Sequence, residues 1–172
     1  MKRLLIVVDY QIDFVNGSLG FTKALTLEEG ICDKIIEFEN NEDEVIFTLD
    51  THYDDYDMTI EGKNLPIAHC IKGTLGHDLF GGVKELSMMH KVFEKETFGS
   101  SKLFNYLLEN KFDEVYLCGV VTNICVISNA VIAKSALPNA NIFIFKDLVA
   151  SNDEVMEEKA LDIMKNLHMI II

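Results

Sequence analysis

The chain has 172 residues, 49% of them hydrophobic and 25% charged, which suits one domain over 1–172 with a buried core. Its formal net charge of −13 excludes a general nucleic-acid binder and disfavours anionic membrane surfaces, because both need clustered Lys and Arg. No stretch approaches the ~20 apolar residues of a membrane span.

The opening MKRLLIVVD (1–9) imitates a secretory signal only briefly, since its apolar run stops at Asp9. Cys32, Cys70, Cys118 and Cys125 form no CxxC pair and read as free thiols of a cytoplasmic protein.

RLLIVV (3–8) is an unbroken apolar run ending at Asp9, as expected of a strand buried on both faces. LEEGICDKIIEFEN (27–40) places Ile31, Ile35 and Phe38 on one helical face. EVIFTL (44–49) is a second buried strand, followed by Asp50. The stretch 51–89 has no sustained period, and a loop that long is uncommon unless functional. HKVFEK (90–95) reads as a short strand and SKLFNYLLEN (101–110) as a helix packing Leu103 and Leu107. EVYLCGV (114–120) is another central strand.

TNICVISNAVIAKSAL (122–137) follows as a helix with Ile124, Ile127 and Val131 at helical spacing. NIFIF (141–145) is a strand. DEVMEEKALDIMKNL (153–167) is a helix with Met156, Ala160, Ile163 and Leu167 directed inward, and HMIII closes with a last strand. Strands separated by helices predict right-handed crossovers and a doubly wound α/β fold, with about six mostly parallel strands between two helical layers. Ligands of such sheets bind beyond the carboxyl ends of the strands, so Asp9, Asp50, Lys95 and the segment after Gly119 become the residues of interest.

Cys125 lies in LCGVVTNICV (117–126), in the first turn of a helix that directly follows a strand. Amides there favour a thiolate and cradle a developing oxyanion, while Asp9 and Lys95 offer a base and a cation. The plainer reading is a small buried hydrophobe. Cys32 and Cys118 read as packing residues, and Cys70, beside a histidine in the loop, is the rival nucleophile. In the 50–89 loop, Asp50 and His52 stand two apart, with Glu61 and His69 beyond. Two histidines with carboxylates suit Zn²⁺, or Mn²⁺ or Fe²⁺ in a more oxygen-rich shell, although acidic loops with a stray histidine are common.

IVVDYQIDF (6–14), KETFGSSKL (95–103) and GVVTNICV (119–126), in this order and spacing, resemble the isochorismatase-like cysteine hydrolases, nicotinamidases among them. The resemblance covers essentially the whole chain. It implies Asp9 as general base and acid, Lys95 as the cation beside the thiolate and Cys125 as nucleophile. It also implies a cis Val120–Val121 peptide, with the Val121 and Cys125 amides as the oxyanion hole. Asp9 as a strand cap, Lys95 as a solvated charge and Lys91 as its substitute are the alternatives.

Nicotinamidases carry Asp-x-His, a second loop histidine and in some members a Glu between them. The resemblance therefore implies a divalent-metal site at Asp50, His52, Glu61 and His69. Isochorismatases generally lack that site, which shifts the expectation to an amidase converting nicotinamide to nicotinate and ammonia. The expected partner is a small amide, with a homo-oligomer plausible for the family. His77, His90 and His168 match no motif and read as surface or packing residues.

One departure stands out: Leu65 occupies the place of an aromatic residue that usually stacks on the pyridine, leaving Phe14 and Phe98 as the other expected walls. Two rivals remain: a metal-free relative acting on a vinyl ether or carbamoyl group, and a non-enzymatic α/β binding module.

Overall fold

The computed structural model describes residues 1–172. Its strands are β1 (Arg3–Val8), β2 (Glu44–Asp50), β3 (Lys91–Lys95), β4 (Glu114–Val120), β5 (Asn141–Ala150) and β6 (Ile170–Ile171). They form one sheet in the order β3-β2-β1-β4-β5-β6, and every pairing is parallel. The order reverses between β1 and β4, which puts the ligand crevice of this doubly wound arrangement beyond Val8 and Val120.

β1 shows why its sequence is apolar throughout. Leu4, Ile6 and Val8 enter one core, and Leu5 and Val7 enter the other. Helices α1 (Ile12–Val15), α2 (Thr22–Leu25), α3 (Glu28–Asn40), α4 (Ile60–Asn64) and α5 (Gly81–Ser87) lie in the first half of the chain. Ile31, Ile35 and Phe38 of α3 are buried as expected, beside Val83 of α5. The other face is covered by α6 (Ser101–Asn110), α7 (Ile127–Ala136) and α8 (Glu154–Asn166). No helix is long and apolar enough to cross a membrane. At Gly119 (φ 110°) a Cβ would lie 2.1 Å from the Val8 carbonyl oxygen, so β4 passes β1 at the crevice only with glycine there.

The structure corrects four sequence expectations. The 51–89 stretch holds α4, α5 and single 3₁₀ turns at Tyr56–Met58 and Leu75–His77, all too short for a hydrophobic period to register. β5 runs on to Ala150, because a register shift against β4 absorbs the exposed Lys146 and Asp147 that end the apolar run. A π turn over Thr122–Val126 precedes α7 and advances its phase. Asn129, Ala130, Ala133 and Ala136 therefore face inward, while Ile124 and Val131 are exposed.

The inward face of α8 is likewise rotated, to Glu157, Ala160, Leu161 and Met164, with Met156, Ile163 and Leu167 outside. Glu157 takes an inward position because Lys23 Nζ (2.6 Å) and the Ser151 N–H (2.6 Å) both bond its carboxylate. An apolar period cannot register that pairing.

The two assignments of α8 separate by mutation. Leu161 is 4% exposed and Ile163 is 52% exposed. Leu161→Ala is expected to cost about 2–5 kcal/mol in urea unfolding, and Ile163→Ala no more than about 0.5 kcal/mol. The reverse ranking would restore the face read from the sequence.

Candidate active site

Three adjacent strands end on the charges singled out in the sequence. Asp9 follows β1 directly, Asp50 closes β2 and Lys95 closes β3. Lys95 Nζ lies 2.7 Å from Asp9 Oδ2, 3.1 Å from Asp50 Oδ1 and 3.6 Å from Cys125 Sγ. All four side chains are buried. Thr48 donates to Asp9 Oδ1 at 2.7 Å. Lys91, by contrast, is exposed and lies outside this cluster.

Gln11 holds this corner together and was missed in the sequence. Its Oε1 accepts from the Asp50 N–H (2.8 Å), and its Nε2 donates to the carbonyls of Asp50 (2.9 Å) and His77 (2.8 Å). The available signal was a lone amide between two aspartates in DYQID. Asp13 of the same segment accepts from the Cys70 N–H at 2.8 Å and so ties it to the His69 loop. Of the histidines outside any motif, His77 is a packing residue, bonded through Nε2 to Thr51 at 2.8 Å.

The electrostatics distinguish the members of the cluster. Burial favours the neutral amine of Lys95, but Asp9, Cys125 and Asp50 outweigh it and hold the ammonium charged. Burial raises the Asp9 carboxyl against the pull of Lys95, with Asp50 adding to the rise. Burial pushes the Cys125 thiol well above its ordinary value; Lys95 opposes this, while Asp9 and Asp50 add to it. Cys125 Sγ and Asp9 Oδ2 both meet the Lys95 ammonium, so thiol and carboxyl share one cation. Cys70 is fully buried and does not line the cavity, and burial and the surrounding carboxylates push its thiol up as well.

Cys125 sits in the π turn rather than in a regular first helical turn. The Val120–Val121 peptide is cis. Val121 and Cys125 both line the cavity, and the Val121 N–H makes no hydrogen bond within the chain. Buried Asn129 fixes the turn. Its Nδ2 donates to the carbonyls of Cys125 (2.8 Å) and Phe98 (3.0 Å), and its Oδ1 accepts from the Ser100 N–H (3.0 Å).

Asp50, His52, Glu61 and His69 converge, with one donor atom from each inside a 4.8 Å span. His52 Nε2 is 2.9 Å from Asp50 Oδ2 and 3.7 Å from Glu61 Oε1; His69 Nε2 is 3.4 Å and 3.6 Å from the same atoms. Donors bonded at about 2.0–2.2 Å around one ion stand roughly 3.3–3.6 Å apart in a tetrahedron, so the set is close to a chelating geometry. His69 Nδ1 donates to the Ile67 carbonyl at 2.8 Å, which leaves the Nε2 lone pair directed at the cluster. His52 Nε2 is buried without a hydrogen bond.

The charges also fit. Asp9, Asp50 and Glu61 face the single ammonium of Lys95, and burial and Asp50 raise the Glu61 carboxyl. A divalent cation would cancel that excess. Tyr56 packs edge-on against His52 (4.7 Å) and His69 (5.1 Å) and donates its hydroxyl to the Leu65 carbonyl (2.8 Å). Thr59 caps α4 through the Gly62 N–H (2.9 Å), which sets Glu61 in place.

Cys125 and the four donor residues line one cavity of about 600 Å³. Phe14, Leu65 and Phe98 line it too, and the Phe14 ring centroid lies 5.4 Å from that of His69. Ile124 of the nucleophile motif also lines it, and Leu19, Phe21 and Asn152 are brought in from segments without a motif.

With this fold and site in view, the chain was compared with known proteins. The isochorismatase domain model matches residues 3–172, and the chain belongs to that family. It is 34% identical over 163 residues, 88% of this chain and 87% of the other, to a Bacillus subtilis (strain 168) protein described as "uncharacterized isochorismatase family protein PncA". A Mycobacterium tuberculosis nicotinamidase/pyrazinamidase is 31% identical over 140 residues, 72% of this chain and 74% of the other. The crystal structure of the nicotinamidase PncA from Bacillus subtilis superposes with a TM-score of 0.87 at 32% identity, covering 99% of each chain.

The donor cluster is expected to take up one divalent ion per chain after chelation and reloading. His69→Ala should weaken that uptake at least tenfold, read by equilibrium dialysis with zinc. Unchanged stoichiometry and affinity in the variant would remove His69 from the site.

Proposed function

We propose that this protein is a metal-assisted cysteine amidohydrolase that converts nicotinamide to nicotinate and ammonia. The observation that carries the reading is the shared position of Asp50. One of its oxygens faces Lys95 beside Cys125, and the other faces the paired histidines. The thiol and the metal-ligand set thus line one cavity, with the buried Asp9 and Lys95 behind them. The relatives named nicotinamidase support the choice of substrate.

In this mechanism Asp9 accepts the Cys125 thiol proton as the sulfur attacks the carboxamide carbon. The resulting oxyanion is held by the Val121 and Cys125 N–H groups. Asp9 returns the proton to the departing amine, the carbon–nitrogen bond breaks, and ammonia leaves a nicotinoyl thioester on Cys125. Asp9 next deprotonates a water, which attacks the thioester; nicotinate departs and the thiol is restored. Throughout, Lys95 keeps its charge between Asp9 and Asp50 and favours the sulfur anion. A divalent ion held by Asp50, His52, Glu61 and His69 would supply a Lewis-acid contact for the pyridine nitrogen. Two imidazoles favour zinc, and the two carboxylates leave manganese or iron compatible. Leu65 offers the ring an apolar wall without the ~0.5–1.5 kcal/mol of an aromatic pair.

Metal-loaded protein is expected to release ammonia from nicotinamide, and Cys125→Ala to lose about 10⁴-fold or more in kcat with an unchanged circular dichroism spectrum. Activity persisting in Cys125→Ala would remove the nucleophile. Turnover of another amide with none of nicotinamide would leave the hydrolase and remove the nicotinamidase.

A further inference from the structure

The cavity is larger than the proposed substrate requires. A water molecule takes about 30 Å³ in the liquid, and nicotinamide, with about nine non-hydrogen atoms, displaces roughly four or five of them. More than half of the ~600 Å³ is left over, a volume typical of pockets for drug-sized ligands.

Outside the chemistry the lining adds Leu19, Phe21, Ile60 and Ile124 to five polar residues, and the exposed surface of the cavity as a whole is mostly apolar. Ile60 is 76% exposed and Ile124 is 37% exposed, so this apolar surface faces the open space of the site. The space is also braced against collapse. The strap bearing Leu19 and Phe21 is pinned where the Tyr10 hydroxyl donates to the Ala24 carbonyl (2.7 Å) and where Lys23 pairs with buried Glu157 (2.6 Å). The Leu65 carbonyl is likewise held by the Tyr56 hydroxyl. The lining includes no Lys or Arg; beyond the metal ligands its one charge is Glu96.

From this geometry we infer that the enzyme also hydrolyses pyridine carboxamides bearing a neutral apolar extension on the ring, and discriminates against anionic ones. The inference rests on the amidase reading above. An extension at ring position 5 is meta to both the nitrogen and the carboxamide, so it crowds neither reacting end. It covers Ile60 and Ile124 while the carboxamide stays over Cys125. An anionic extension meets Glu96 in a cavity that offers it no cation.

The test is kcat/KM by ammonia release from nicotinamide, 5-phenylnicotinamide and 5-(4-carboxyphenyl)nicotinamide, using metal-loaded protein. The phenyl compound is expected to match or exceed nicotinamide, chiefly through a lower KM, and the carboxylated one to fall at least tenfold below the phenyl compound. Ile124→Phe, which fills the space, should lower the phenyl-to-nicotinamide ratio about tenfold. A ratio unmoved in Ile124→Phe would overturn the inference. So would nicotinamide turned over with the phenyl compound more than tenfold slower, although the amidase reading would then stand. No release from any of the three would remove the amidase reading and this inference with it.

Discussion

The site depends on one buried ammonium. Lys95 touches two carboxylates and lies within hydrogen-bonding distance of the only thiol in the cavity lining. An unpaired charge at this depth would cost several kcal/mol, so the pairing is a condition of folding as well as of chemistry. Because Asp50 shares its two oxygens between Lys95 and the histidine pair, displacing any one of these groups disturbs both halves of the site. Low exposure strengthens every interaction in it, and the same burial pushes the Cys125 thiol up. In the proposed mechanism Lys95 then favours the sulfur anion once Asp9 has taken the thiol proton.

The sheet makes this possible with little backbone irregularity. Parallel β1, β2 and β3 deliver Asp9, Asp50 and Lys95 side by side, and β4 hands the chain across the reversal in strand order to the nucleophile turn. Polar side chains then pin each loop. Gln11 fixes the Asp50 backbone, Asp13 the His69 loop and Asn129 the turn and the Phe98 wall. Gln11 and Asn129, both buried, spend most of their hydrogen-bonding capacity on backbone groups, which is how a buried polar residue rigidifies without leaving an unpaired group.

Much of this was legible in the sequence, for definite reasons. The runs at 3–8, 44–49 and 114–120 are strands because a sheet buried on both faces permits no polar alternation. The ends of strands are where ligands gather, which singled out Asp9, Asp50 and Lys95 before any contact was known. The faces of α7 and α8 were misread, because a π turn shifted one and the paired Glu157 occupied an inward position of the other. Gln11 and Asn129 were invisible because their roles lie in backbone partners far away in sequence. Leu19 and Phe21 reach the cavity on a strap whose position depends on Tyr10 and Glu157, and local pattern encodes neither contact.

The central claim is that the acyl group passes through Cys125, and an activated ester tests it most directly. With 4-nitrophenyl nicotinate, acylation is fast and the shared thioester hydrolysis becomes limiting, so the intermediate accumulates. The account expects a stoichiometric burst of nitrophenolate, together with a nicotinoyl mass on the Cys125 peptide after acid quench. A nicotinoyl mass on the Cys70 peptide, or an undiminished burst from Cys125→Ala, would contradict it.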